Sequence, residues 1–357
     1  MEKLGVLLIN SSRIYGGTET WTLRAAAELK NRGYRVIVGY RFPVIKQHAD
    51  DFGLPIIKFP LRSDSDIYSI YLIRKTLLKN NLHVVLPTRD REYWLGTIAA
   101  KLAGCKSIIR LGIVRILKNK WKNRTLYGKW ADAIQVNAQA IVDGLLSVNF
   151  IPQNKIHQFY DGVEVPPTLP DNANTPPFTF VYVGSLIARK NVSQLLGVFH
   201  KLTQSLPDSD IRLWLVGEGE EEANLKQLAQ ELKIRDMVKF WGHQDDVPAI
   251  LQQCHAMVLL SKSEGFPTVL LEGMACGVPP VVGSIPGIDE VVNHETNGLI
   301  VNLDNETEIV RAMKRMVQDK SFRIQLRETG FKEVKEKFSR AAMGENLEKL
   351  ILEVVNG

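Results

Sequence analysis

The stretch Ser263–Val282, SEGFPTVLLEGMACGVPPVV, follows the apolar run AMVLLS (256–261) and leads into PPVVGS (279–284). Both short runs are aliphatic or β-branched and read as strands. Between them Glu264-Gly265-Phe266 reads as a turn. Pro267 suits the first helical position, where an N–H would be unpaired anyway. The helix is expected to reach about Cys276 and to stop at Gly277 and the Val-Pro-Pro beyond it. Strand, turn, helix and strand in that order build a parallel α/β sheet.

The same rhythm extends in both directions. Upstream, GVLLIN (5–10), RVIVGY (35–40), PIIKF (55–59), HVVLP (83–87), SIIRL (107–111) and AIQVN (133–137) read as strands, with helices such as Thr18–Arg32 and Arg91–Leu102 between them. A segment with five prolines, VEVPPTLPDNANTPP (163–177), interrupts the pattern and reads as a linker. FTFVYVGS (178–185), IRLWLVGEG (211–219), VKFWGH (238–243), AMVLLS, PPVVGS and GLIVN (298–302) resume it, and the tail from Glu306 to Val355 is helical with a break near Phe338-Ser339. The expected architecture is α/β: two Rossmann-like, doubly wound domains facing across a cleft, over residues 1–165 and 166–338. In such sheets ligands bind at the carboxyl ends of the strands.

Composition narrows the partners. The 357 residues are 45% hydrophobic and 24% charged, as in a soluble globular protein. Three separated cysteines (Cys105, Cys254, Cys276) form no C-x-x-C pair and suit a reducing compartment. The apolar run near the N-terminus, Leu4 to Ile9, is too short for a signal core or a membrane span. A cytoplasmic location is expected, which allows contact with the inner face of the cytoplasmic membrane. The net charge of +6 is uneven: residues 1–165 carry 25 Lys+Arg against 13 Asp+Glu, and the remainder 20 against 26. The first part is therefore expected to meet something anionic.

Three loops carry candidate chemistry. Gly16-Gly17 precedes a helix, and either lets a ligand approach helix N–H groups or makes a tight turn needing positive φ. Arg189-Lys190 precedes another helix and could neutralise a diphosphate, or could be a solvated pair. Glu264 stands just outside the helix that begins near Pro267, and Glu272 lies in its second turn, where an acid can accept hydrogen bonds from ribose hydroxyls. Complementing the helix dipole would account for one such glutamate, but not for two framing Gly-Phe-Pro at this spacing. No His, Cys or carboxylate spacing forms a metal cluster, and the DSD tripeptides at 64–66 and 208–210 read as helix-start or turn acids.

The spacing Glu264…Glu272 within EGFPTVLLEGMACGVPPVV, continued by GIDEVV…NGLIV (287–301), resembles the signature of the retaining family 4 (group 1) nucleotide-sugar glycosyltransferases. VGSLIARKN resembles their diphosphate loop, YGGTETW their glycine loop, and YDGVEVP (160–166) the lead into their linker. The resemblance implies the GT-B architecture, with residues 339–357 as a C-terminal helix packing back on the first domain. It implies a UDP- or GDP-sugar as donor and no other cofactor. Glu272 would hold the ribose, Arg189 and Lys190 the diphosphate, and Glu264 the donor sugar. Main-chain N–H groups of Gly265, Phe266, Thr268 and Val269, around Pro267, would assist. Gly242 and His243 would border the base, and Gly16 and Gly17 would close on the diphosphate. Two positions depart from the pattern. Ser185 stands where many relatives have Arg, and Leu111-Gly112, beside Arg110, where many have His-Gly.

The implied reaction is metal-independent sugar transfer with retention, building a surface polysaccharide, lipopolysaccharide or glycolipid. Arg89, Asp90 and Arg110 are acceptor-side candidates. The segment RLGIVRILKNKWKNRTLYGKW (110–130) holds seven basic residues and no acid, interleaved with aromatics. It suits an anionic membrane surface or a phosphorylated glycan or glycolipid acceptor. Nucleic acid fits less well, because no reading module accompanies it. An epimerase, or a nucleotide-sugar-binding module without turnover, is the competing reading. The paired-glutamate turn argues against the first, and only Ser185 and Leu111 hint at the second.

Overall fold

The computed structural model describes residues 4–113, 117–171, 177–264 and 266–357. The chain forms two compact units, Met1–Gly162 with Ser339–Gly357, and Val163–Phe338.

In the first unit β1 (Gly5–Asn10), α1 (Gly17–Asn31), β2 (Arg35–Tyr40), α2 (Pro43–Ala49), β3 (Ile56–Lys58), α3 (Ile67–Lys79), β4 (Val84–Pro87), α4 (Asp90–Ala103) and β5 (Lys106–Leu111) alternate. They are followed by α5 (Trp121–Asn123), which runs into a π-helical stretch (Arg124–Trp130), then β6 (Ala133–Val136), α6 (Gln139–Leu146) and β7 (Ile156–Gln158). The sheet order is β3-β2-β1-β4-β5-β6-β7, and every pairing is parallel. All six residues of β1 are buried, as expected of a strand covered by helices on both faces.

The second unit repeats the plan with β8 (Phe178–Val183), α7 (Val192–Ser205), β9 (Ile211–Val216), α8 (Glu222–Glu231), β10 (Val238–Gly242), α9 (Val247–Leu251), β11 (Ala256–Leu259), α10 (Thr268–Ala275), β12 (Pro280–Gly283), β13 (Leu299–Val301), α11 (Glu306–Gln318) and α12 (Lys320–Lys337). Its parallel sheet has the order β10-β9-β8-β11-β12-β13. In each sheet the strand order reverses beside the first strand, between β1 and β4 and between β8 and β11. Loops at the carboxyl ends of those pairs flank a crevice suited to ligands.

The helical tail breaks twice. Asp319 accepts a hydrogen bond from the Phe322 N–H and starts α12. Ser339 does the same for Ala342 and starts the last helix, α13 (Arg340–Asn356). This helix belongs to the first unit: Met343, Leu347, Leu350 and Ile351 are buried in one core with Val6, Leu8, Leu23 and Val36. Gly344 lets it lie close on α1, because an added Cβ would come within 2.1 Å of Glu28 Cγ.

All twelve strand runs read from the sequence form strands, and among the described residues β7 is the addition. Pro267 is a correction. Its φ of −80° and ψ of 73° lie outside the helical region, so it precedes α10 instead of beginning it. The Thr268 N–H turns back to the Phe266 carbonyl at 2.9 Å.

Candidate active site

In the second unit the loops after β8 and β11 are tied together. Ala188–Lys190 make a single 3-10 turn, followed by Asn191 at a φ of 58°. The Asn191 amide donates to the Leu260 carbonyl at 3.1 Å, and the Lys262 N–H to the Arg189 carbonyl at 3.0 Å. This brings Lys190 Nζ to 2.6 and 2.8 Å from the two oxygens of Glu264. Arg189 Nη1 lies 3.7 Å from Glu264 Oε2 and donates to the Ser263 carbonyl. The three side chains grade outward: Glu264 is 9% exposed, Lys190 14% and Arg189 48%. Arg189 keeps several of its five N–H donors without a partner among the described residues. The arrangement is a buried carboxylate that fixes a lysine, with a more open guanidinium beside it, at the switch point of the sheet.

The neighbouring loops support this one. The Leu186 N–H donates to the Glu218 carbonyl at 2.8 Å and the Gly217 N–H to the Gly242 carbonyl at 2.8 Å. A Cβ at Gly217 would sit 2.1 Å from the Gly184 carbonyl oxygen, and Gly217 has a φ of 129°, so only glycine serves there. Gly242 also has positive φ. His243 donates its backbone N–H to Glu218 at 3.1 Å and keeps an exposed ring 3.4 Å from Asp245.

Glu272 lies in α10, half-buried, and its charge adds to the burial that pushes the Cys276 thiol up to about 11. Of the expected main-chain donors, the Thr268 N–H is held by Phe266 within the turn. Phe266 packs its ring against Phe338 at 6.5 Å, and Val269 is half-buried in the first turn of α10. Gly265 lies outside the described residues.

In the first unit, Gly16 and Gly17 open α1. Gly16 is extended, with a φ of −168°, and neither glycine is among the positive-φ residues. The tight-turn reading therefore fails. A Cβ on Gly17 would meet nothing within 4 Å, and one on Gly16 only Glu19 Oε2 at 3.5 Å. Among the described residues no neighbouring atom crowds the Cβ position of either glycine.

Arg89 precedes α4 and is held by Glu19 (2.7 Å) and by the Ser12 hydroxyl (3.0 Å). Glu19 also accepts from the Asn10 amide at 3.1 Å. Asp90 is an exposed first-turn acid of α4. Arg110 is placed differently from the acceptor-side expectation. It is 2% exposed, paired with Asp161 at 3.0 Å, and its guanidinium lies 4.4 Å from the centre of the Trp21 ring. A Cβ at Gly112 would come within 2.4 Å of that guanidinium, which explains the glycine after Leu111. The buried Arg110–Asp161 pair holds the fold.

Glu92 is fully buried in α4, and among the described residues neither of its oxygens completes a hydrogen bond. Burial pushes its carboxyl up to about 7, only partly offset by Ser11 and Arg89. A carboxyl raised in the folded state stabilises fully below its unfolded value, and that contribution is lost as pH rises through about 7. Glu92→Gln should therefore gain stability relative to the unmutated protein between pH 5 and pH 8, by roughly 2 kcal/mol. Urea midpoints at the two pH values measure this, and parallel pH profiles would contradict it.

The basic segment is partly folded in. Among its described residues Leu126 and Tyr127 are buried, Trp130 stacks on Trp94 at 5.3 Å, and Lys122 pairs with Asp64. Trp121 remains 72% exposed. Asp66 of the first DSD caps α3 by accepting from the Ser69 N–H at 3.0 Å.

Known proteins resemble the chain in fold and in sequence. A solved structure of Anabaena Alr3699/HepE in complex with UDP superposes with a TM-score of 0.81 at 17% identity, covering 98% of this chain and all of that one. The fold is that of the GT-B glycosyltransferases. Residues 170–333 match the family model described as Glycosyl transferases group 1. An uncharacterized glycosyltransferase of Haemophilus influenzae is 26% identical over 91% of this chain and 93% of its own length. The UDP-Gal:alpha-D-GlcNAc-diphosphoundecaprenol alpha-1,3-galactosyltransferase of Escherichia coli is 24% identical over 76% of each chain. The lipopolysaccharide core biosynthesis glycosyltransferase LpsD of Rhizobium meliloti is 30% identical, over about half of each chain (50% and 51%). Residues 170–333 are thus similar to the group 1 glycosyltransferases, and most of the chain is similar to glycosyltransferases at 24–26% identity.

Sequence reasoning missed four arginines. Arg13, Arg41, Arg62 and Arg91 join Arg89 around one pocket of the first unit. The signal was present: each of β1 to β4 is followed within a few residues by an arginine.

Proposed function

We propose that this protein is a retaining glycosyltransferase that moves a sugar from a nucleoside diphosphate to a glycan or lipid-linked glycan acceptor in surface polysaccharide or glycolipid synthesis. The observation that carries the reading is the Lys190–Glu264 pair, flanked by Arg189, at the carboxyl ends of β8 and β11. In the proposed mechanism Arg189 and Lys190 meet the charge that develops on the departing diphosphate. Fixed cations in a partly dry site stabilise such charge without reorganising, so no metal is required for that task. Glu264 orients Lys190 and faces the donor sugar, and Glu272 receives the ribose hydroxyls. Gly242 and His243 border the base, and Gly16 and Gly17 admit the diphosphate. The first unit holds the acceptor.

Incubation with radiolabelled UDP- and GDP-sugars, in the presence of a chelator, and with a pool of glycolipid acceptors tests the reading. Transfer giving a product with the donor's anomeric configuration by NMR is the expected result. Inversion would remove the retaining mechanism, and loss of transfer with the chelator its metal independence. Donor binding without transfer or hydrolysis would favour a non-catalytic module.

No helix among the described residues is long and apolar enough to cross a membrane. Exposed Trp121, Lys118 and Lys120 support peripheral contact with an anionic bilayer from the cytoplasmic side. Failure of the protein to float with anionic liposomes would remove this element.

A further inference from the structure

The pocket of about 550 Å³ that gathers the five arginines is lined by Ser11–Ile14 after β1, Arg41 and Phe42 after β2, Arg62 after β3, and Arg89 and Arg91 at the start of α4. Each comes from the carboxyl end of one of four adjacent strands. Among the described residues, Arg89 alone of the five is in an ion pair. Arg91 donates one N–H to the Leu61 carbonyl at 3.0 Å, while its Nε is buried without a partner. Arg13 and Arg41 lie 4.9 and 4.7 Å from the centre of the Phe42 ring. Against these cations stand Glu19, which is paired with Arg89, the buried Glu92, and Asp66, which caps α3. Burial and the neighbouring Arg91 and Arg13 charges hold the Arg41 guanidinium below its ordinary value. Among the described residues four of the five guanidinium groups form no ion pair, and the charges of Arg91 and Arg13 acting on Arg41 are opposed there by Asp66 and Glu92, so a bound anion would relieve the remaining repulsion.

The pocket does not end there. Arg41, Phe42 and Arg62 also line a second groove of about 540 Å³, walled by Phe59, Pro60, Tyr68 and Leu72. Along α3 the surface continues with Ile67, Tyr68 and Tyr71, which are 77%, 57% and 52% exposed. A cationic pocket opening directly into an aromatic and aliphatic groove matches a ligand with a strongly anionic head and an apolar chain.

We propose that this surface is the seat of a phosphate ester of a lipid: the arginines bind the acceptor's phosphate or diphosphate, and the Phe59–Tyr68–Leu72 groove takes the first part of its hydrocarbon chain. This rests on the acceptor reading of the first unit and names its ligand class. Guanidinium groups bind phosphate oxygens in pairs, and each apolar carbon buried in the groove adds affinity. A soluble sugar phosphate shares the head but not the chain, and the two sources are separable by experiment.

Calorimetric titration of the full chain with inorganic pyrophosphate and with farnesyl diphosphate tests the assignment. Arg189→Ala with Lys190→Ala is used as the background, so that the second unit's cations contribute nothing. Farnesyl diphosphate is expected to bind at least roughly tenfold more tightly than pyrophosphate. Arg41→Gln with Arg62→Gln should weaken both ligands by roughly tenfold or more. Tyr68→Ala should reduce the farnesyl advantage and leave pyrophosphate unchanged. Equal affinities with and without the arginine substitutions would overturn the site. Equal affinities for the two ligands would overturn the lipid assignment in favour of a soluble phosphate ester. UDP titrated into the unmutated protein reads the donor site separately, and its failure would sink the donor reading while leaving this one standing.

Discussion

Lys190→Ala is expected to slow sugar transfer by about 10²–10³-fold, the range seen when one preorganised charge-stabilising donor is removed. Glu264 holds the lysine ammonium through both carboxylate oxygens, at 2.6 and 2.8 Å, so its charge is already in place when the glycosidic bond breaks. Because negative charge grows on the leaving diphosphate during the reaction, kcat should fall more than UDP affinity does. Lys190→Arg should recover part of the rate. Initial rates with a labelled donor, together with UDP titration, separate these effects. Unchanged kcat in Lys190→Ala would remove the site as assigned.

The second large effect is on stability. Arg110→Ala should destabilise the first unit by about 3–5 kcal/mol, because removing one partner of a buried ion pair leaves the other uncompensated. Asp161 would retain only the Asn137 amide, at 2.7 Å, as a described side-chain donor. The Trp21 ring would lose the guanidinium that lies over it. Urea denaturation followed by tryptophan fluorescence measures the loss. A shift below about 1 kcal/mol, the range of exposed pairs, would contradict the structural role.

The parallel strands were legible because burial on both faces demands nearly continuous aliphatic runs, as in GVLLIN and AMVLLS. β7 was not, since Ile156–Gln158 is a half-buried edge strand with no such run. The Arg189, Lys190 and Glu264 cluster was readable because the motifs around it place all three beside one crevice. Arg110 drew an acceptor-side reading from its place beside Leu111-Gly112, and nothing local in the sequence shows that Asp161, 51 positions away, pairs with it in the interior. The arginine pocket escaped notice because its members are spread over four loops, each unremarkable by itself. Pro267 fits the general preference for the first helical position, yet the local turn at Phe266 moves it one place outside.

The first unit contains α13, and its core holds Met343, Leu347, Leu350 and Ile351 from the last part of the chain. During synthesis the ribosome produces the whole of the second unit before that piece emerges. The N-terminal sheet must therefore wait, with the apolar flank of α1 uncovered, until the residues after Phe338 have been made. A ribosome that stalls anywhere after Phe338 but before Ile351 would release a chain whose later-made half is complete and whose earlier-made half is still open to aggregation and proteolysis.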